Sequence, residues 1–282
     1  MTAGNLDTVL DGVAAAPRLL VALDFDGTLS PLHDEPMAAR MLPAARAAVE
    51  ELAALPCTWV ALVSGRSLSD LRIIAEHRDD SPVLLAGSHG AEFWTPHDGL
   101  IEPDDAPVEI ALRDRLRARA EQAVRGLAGV LIEPKTFGFG VHTRMASAPD
   151  ARTAQDAVDA LVHAEAPHWR RRSGHNIVEY AFRDEGKDEA VAHLRELTAA
   201  DAVLFAGDDL TDEDALRSLG ADDLGVHVGP TRPTAAAVLV DDVAAFAAML
   251  AELAARRRAA NGGRAPGGEP VSPTRRAVPQ AE

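Results

Sequence analysis

"LVALDFDGTLSPL", residues Leu20–Leu32, is an apolar run of strand length that stops on two aspartates two positions apart and then on a glycine. Side chains i and i+2 of an extended strand share a face, so Asp24 and Asp26 converge where the run ends. In an open sheet of parallel strands that end is the carboxyl edge, where ligands bind. Gly27 lets the chain leave sharply. Two close carboxylates repel unless one holds a proton or a cation lies between them, so the pair implies acid–base work or a hard metal ion. A calcium loop fits poorly, because its sixth position needs glycine and here holds Leu29. A strand end with aspartates in Asx turns is the plainer alternative.

Other strand ends carry similar punctuation. "AVLFAGDDLTDEDAL" (Ala202–Leu216) repeats the design, with Gly207 followed by Asp208, Asp209, Asp212, Glu213 and Asp214. The helix macrodipole accounts for Asp212 and Glu213 at a helix start, but leaves Asp208 and Asp209 wanting a cation. In "VALVSGRSL" (Val60–Leu68), Ser64 and Gly65 stand at a helix start, where hydroxyl and backbone N–H groups can hold phosphate oxygens; an N-cap serine is the equal alternative. Lys187 in "DEGKDEA" also precedes a helix, and alone would read as a solvated surface lysine.

Working outward, "RLLVALDF" (Arg18–Phe25), "TWVALVS" (Thr58–Ser64) and "VLLA" (Val83–Ala86) read as buried parallel strands, with helices over Pro43–Leu55 and Ser67–Glu76 as crossovers. This predicts an α/β class, a doubly wound and mostly parallel sheet. After Trp94 the turn-rich "TPHDGLIEPDDAP" leads into a helix pattern over Val108–Leu127. Closely spaced strands follow at "VLIE", "FGFGVHT" and "NIVEYA", with a helix over Asp150–Ala164. The βα alternation then resumes with a helix near Asp188–Leu197, "AVLFA", a helix near Asp212–Leu219, "LGVHV" and "AVLV". The expected division is an α/β core over 1–104 and 184–255, an inserted α+β cap over 105–183, and a disordered Arg-, Gly- and Pro-rich tail over 256–282.

Composition bounds the function. The 282 residues are 47% hydrophobic, enough for a sizeable core, yet no apolar stretch approaches the ~20 residues that span a bilayer. Met1–Pro17 does not resemble a secretory signal, and the single cysteine, Cys57, suits a reducing compartment, so a cytoplasmic protein is expected. The net charge of −16 argues against nucleic acid. Residues 256–282, with six arginines and two glutamates, carry +4 and leave −20 on the rest. An acidic body acting on an anionic small molecule needs local cations or a metal. No repeat, G-x-S-x-G elbow, Walker A loop or H-E-x-x-H motif is present, and no obligate protein partner is evident.

An aspartate pair, a serine, a lysine and an acidic cluster, in that order and each ending a βα unit, resemble the haloacid dehalogenase superfamily of phosphotransferases. "GSHGAEFW", "IEPKTFGFGVHTR", "NIVEYAF" and "GDDLTDEDAL" narrow the resemblance to the trehalose-6-phosphate phosphatase family, over about Leu20–Pro230. The resemblance implies that Asp24 is the nucleophile and Asp26 the general acid/base. It implies magnesium held by Asp24, the Asp26 carbonyl and Asp208, with Asp212 orienting Lys187 or the metal shell. Ser64 and Lys187 would bind the phosphoryl group beside Gly65 and Arg66. Glu133, Lys135 and Glu179 would hold the disaccharide, with His142 and Arg144 as a further polar motif. Two departures stand out: Asp188 replaces the glycine usual after the lysine, and Glu179 lacks a following Arg-Pro, with His175 upstream. The implied function is magnesium-dependent hydrolysis of trehalose 6-phosphate. The alternatives are another sugar phosphatase, of the sucrose-phosphate or mannosyl-phosphoglycerate kind, and a catalytically silent sugar-phosphate sensor.

Overall fold

The computed structural model describes residues 3–101, 105–174, 176–230 and 233–262. Strand β1 (Leu19–Leu23) is buried along its whole length. Its alternate residues face two different helical layers, which is why the run must be apolar without interruption. Leu19, Val21 and Leu23 pack with residues of α1 (Ala3–Ala15), α2 (Pro43–Ala53), α3 (Leu68–Ile74) and α8 (Val243–Gly262). Leu20 and Ala22 pack against α6 (Lys187–Thr198) and α7 (Glu213–Ser218).

Parallel to β1 run β2 (Thr58–Val63), β3 (Leu84–Gly87), β10 (Ala202–Gly207), β11 (Leu224–Val228) and β12 (Val238–Val240). Two antiparallel strands, β4 (Glu92–Thr95) and β5 (Gly99–Ile101), extend one side, giving the order β12-β11-β10-β1-β2-β3-β4-β5. The sheet is thus mixed, mostly parallel and covered on both faces: an α/β architecture. Leu23 is level with Ala206 on one side and Leu62 on the other, so the loops after β1, β2 and β10 leave from one edge.

A second sheet, order β6-β7-β9-β8, consists of β6 (Leu131–Lys135), β7 (Gly138–His142), β8 (Arg170–Gly174) and β9 (Ile177–Ala181), all antiparallel. Helices α4 (Pro107–Ala123) and α5 (Ala148–Glu165) cover one face, around Leu116, Phe139, Val158, Trp169 and Tyr180. The other face looks onto the carboxyl edge of the large sheet.

The tail expected from residue 256 needs correction. Helix α8 continues to Gly262, and Arg257 is entirely buried. Its guanidinium donates to the carbonyls of Ala14 (2.9 Å), Ala16 and Cys57 (2.7 Å) and to Thr58 Oγ1 (3.0 Å). Arg256 pairs with Asp7, Asp11 and Glu252. The arginines that read as a solvated segment are what dock the helix end, since each finds acceptors. Residues 263–282, the remainder of that expectation, lie outside the described residues, as does His175. Among the described residues no helix is long and apolar enough to cross a membrane.

Candidate active site

The turn after β1 is built so that its two carboxylates face different partners. Asp24 still donates its N–H to Ala206 O (2.9 Å), continuing the strand, while Leu29 and Ser30 both return N–H bonds to Phe25 O (3.0 Å each). Gly27 has φ +76°, and a Cβ there would lie 2.0 Å from Asp208 Oδ2. Only glycine allows both the left-handed turn and the close approach of Asp208.

Asp24 is buried, and its Oδ1 accepts from Lys187 Nζ at 2.6 Å. The same ammonium donates to Asp212 Oδ1, also at 2.6 Å. Asp212 is fully buried, and its other oxygen accepts the N–H groups of Asp208 (3.1 Å) and Asp209 (2.9 Å), drawing the acidic loop into a turn. Gly207 makes room, since a Cβ there would lie 2.2 Å from Asp212 Cγ. Burial opposes the charge on Lys187, but Asp212 and Asp24 outweigh it and hold the ammonium well above its ordinary pKa.

Oxygens of Asp24, Asp208 and Asp212 come within 4.8 Å of one another. Burial, with Asp212 and Asp26 adding to it against the pull of Lys187, pushes Asp24 up to about 7. Burial and the charges of Asp24 and Asp212 push Asp208 up to about 9. Carboxylates so crowded and desolvated are short of positive charge, and an all-oxygen set suits a hard divalent cation. Asp26, whose backbone carbonyl is the metal ligand that the resemblance implies, keeps its side chain out of this cluster. Its carboxylate is forked instead by Arg66, and Arg66 N–H donates to Ser64 Oγ (3.2 Å) at the end of β2.

Across from these groups the second sheet presents a connected row of charges. In register, Gly140 of β7 lies between Glu133 of β6 and Glu179 of β9, and the room left by its missing side chain is taken by Ile177, whose Cδ1 would lie 2.9 Å from a Cβ there. Lys135 Nζ links the two carboxylates, 3.0 Å from Glu133 and 3.1 Å from Glu179. His142 Nε2 is 2.7 Å from Glu133 Oε2. Burial would raise both carboxylates, but Lys135 with His89 lowers Glu179 and His142 with Lys135 lowers Glu133. Core and cap residues together line a cleft of about 520 Å³ that includes Asp24, Asp26, Ser64, Lys187, Glu133 and Glu179.

Of the residues expected to bind substrate, Gly65, Arg66, Lys135 and His142 also border this cleft, whereas Arg144 does not. Arg144 pairs instead with Asp34 (2.9 Å) and the carbonyl of His33 (3.3 Å), tying the cap to the loop after β1, because its place beyond the end of β7 turns it outward. Asp188 leaves Lys187 undisturbed, since the ammonium's two partners are Asp24 and Asp212. The residue missed is His89. It lies inside the quoted "GSHGAEFW", and its Nε2 is 3.0 Å from Glu179 Oε2.

A sequence model described as trehalose-phosphatase matches residues 22–241, most of the chain. The chain belongs to the trehalose-phosphatase family. Trehalose-phosphate phosphatase of Mycobacterium tuberculosis is 34% identical over 262 residues, covering 89% of this chain and 64% of that protein. The enzyme of the same name from Mycolicibacterium paratuberculosis is 36% identical over 213 residues, covering 73% of this chain and 52% of that one. The chain therefore spans less than two thirds of the curated relatives it matches. Among solved structures, the C-terminal domain of trehalose-6-phosphate phosphatase from C. albicans superposes with a TM-score of 0.75 at 20% identity, covering 89% of this chain and 97% of that one. A haloacid dehalogenase-like hydrolase from Bacteroides thetaiotaomicron superposes at 0.59 with 15% identity, covering 84% and 99%. These likenesses establish the fold of the trehalose-phosphatase family for this chain, core and cap together.

Proposed function

We propose that this chain is a magnesium-dependent phosphatase that hydrolyses trehalose 6-phosphate to trehalose and phosphate through a phosphoaspartyl intermediate. The reading rests on one arrangement: a buried carboxylate, Asp24, held by Lys187 beside two further acids, and roofed by the Glu133–Lys135–Glu179 row. Family membership and the named relatives support the substrate.

Asp24 Oδ attacks phosphorus, the phosphorus–oxygen bond to the sugar breaks, and Asp26 gives the departing oxygen a proton. Asp26 then takes a proton from water as it opens the acyl phosphate, so one hard displacement becomes two easier ones. Ser64 Oγ and Lys187 Nζ hold the transferring oxygens, and Asp212 keeps the ammonium charged and aimed. Asp24 and Asp208 are the carboxylates that would hold magnesium, with Asp212 beside them; when bound, the ion neutralises the negative charge gathered around phosphate and nucleophile. The sugar is neutral and rich in hydroxyls, which suits the charged donors and acceptors of Glu133, Lys135, Glu179 and His142.

Phosphate release from a panel of sugar phosphates, with and without magnesium, tests this reading. Trehalose 6-phosphate should be preferred, and chelation should stop its turnover. Preference for sucrose phosphate or mannosyl-phosphoglycerate would move the substrate elsewhere in the superfamily, and no turnover at all would favour the silent sensor.

A further inference from the structure

Ser88, His89 and Gly90 sit between β3 and β4 with φ of +49°, +60° and +107°. Two consecutive non-glycine residues in the left-handed region are strained, and such strain persists only where neighbours enforce it. Here they do. Ser88 N–H donates to Arg66 O (2.6 Å) and His89 N–H to Ser64 O (2.9 Å). Ser88 Oγ donates to Glu92 Oε2 (2.5 Å), which also accepts Leu68 N–H (3.1 Å). The turn is thereby stitched to the whole loop from Ser64 to Leu68.

That geometry aims one side chain. The imidazole of His89 lies directly on Gly65, where a Cβ would stand 2.6 Å from its Cε1. Its far nitrogen, Nε2, reaches Glu179 Oε2 at 3.0 Å, while Glu179 Oε1 is held by Lys135. Burial lowers the pKa of His89, so the ring is neutral near pH 7, and Glu179 is held ionised. An ionised carboxylate only accepts, so Nε2 carries the proton and donates. The ties of Arg144 to Asp34 and of Arg170 to Asp214, also between core and cap, involve exposed groups at the rim.

We propose that His89 is a positioning residue that joins the Ser64–Arg66 loop to the cap carboxylate Glu179, so that the group contacting the sugar is set by the same turn that sets the phosphoryl loop. It rests on the proposed phosphatase reading for its substrate. Sugar selectivity then resides partly in the core domain, in a residue that touches neither phosphate nor metal.

A double-mutant cycle tests it. Asn tolerates left-handed backbone but is too short to reach Glu179, so His89→Asn removes the contact with little backbone penalty. His89→Gln restores a donor at about the original reach, and His89→Phe, which keeps a ring over Gly65 without a donor, replaces the Asn variant in the cycle should that one fail to fold. Each is combined with Glu179→Gln, and kcat and KM are measured on trehalose 6-phosphate and on p-nitrophenyl phosphate. His89→Asn should lower kcat/KM for the sugar phosphate roughly 10- to 100-fold, chiefly through KM, with a smaller loss on the aryl ester. The double variant should be no worse than Glu179→Gln alone, and Gln should recover part of the loss. Multiplying losses, or equal losses on both esters, would overturn the proposal. If the wild type prefers another sugar phosphate, the substrate reading fails, while the same cycle on that ester still decides the coupling.

Discussion

Arg66 closes on Asp26 with two parallel bonds, Nε to Oδ2 at 2.6 Å and Nη2 to Oδ1 at 2.7 Å. A fork of this kind fixes a carboxylate's orientation as well as its charge. In the proposed reaction Asp26 has to be released from this fork before it can serve the departing sugar oxygen.

Arg66→Lys should therefore be a poor replacement despite the retained charge, because an ammonium cannot span two oxygens. We expect kcat/KM to fall about tenfold or more, equivalent to ~1.4 kcal/mol, in steady-state assays of phosphate release. Kinetics within twofold of the wild type would leave the fork without a role in turnover.

Asp24→Asn should abolish turnover while preserving the fold, since the amide keeps the shape but is a far weaker nucleophile. Burst-phase and steady-state phosphate release are the measurements. Appreciable residual hydrolysis by the purified variant would remove the covalent assignment.

The metal-free protein should lose stability as pH rises. Asp208 is pushed up to about 9 in the folded state, against about 4 unfolded. The folded state thus binds this proton more tightly, and the stability it contributes is present below pH ~4 and lost by pH ~9. Asp208→Asn should flatten that slope in chelator and raise Tm at pH 8, while lowering the stabilisation gained on adding magnesium. An identical slope in wild type and variant would place the proton elsewhere.

Glu133→Ala and Lys135→Ala should separate sugar recognition from phosphoryl transfer. Each removes a charge-assisted hydrogen bond worth roughly 1.5–3 kcal/mol, about 10- to 150-fold in kcat/KM for trehalose 6-phosphate. The loss on p-nitrophenyl phosphate should be much smaller. Lys135→Ala should also lower Tm, because it leaves Glu133 and Glu179 facing each other without the cation between them. Equal losses on both esters would assign these residues to the fold or to cap closure.

Strands that end in chemistry were the easiest to read. β1, β2 and β10 are buried on both faces, so their sequences are plain apolar runs, and Asp24, Ser64 and Asp208 mark where each stops. β8 was not legible, because "RRRSG" stabilises itself through charge pairs such as Arg171 with Asp159 rather than by apolar burial. The β4–β5 pair is too short to show a period, and the boundary expected at residue 256 falls inside α8 because its arginines look solvated in one dimension. Within the site, types and order revealed the cluster but not the partners. Nothing in the spacing says that Arg66 takes Asp26 or that Arg144 turns to Asp34, since both contacts join segments far apart in the chain. His89 stood in a quoted motif, yet its use depends on a backbone conformation that only the folded turn discloses.

Chain synthesis runs in one direction, and Arg257 gives that direction a consequence. β1 is made well before α8, which covers part of one of its faces and whose arginine satisfies the carbonyls of Ala14, Ala16 and Cys57. A chain released before residue 257 keeps the apolar cover of Phe246, Leu250 and Leu253 but leaves the carbonyls of Ala14, Ala16 and Cys57 without the guanidinium that satisfies them. Release at Ala255 should give a product that is degraded or aggregates, whereas release after Gly262 should give one that folds. The last turn of α8 thus completes the polar bonding of a core whose central strand is made far earlier in the chain.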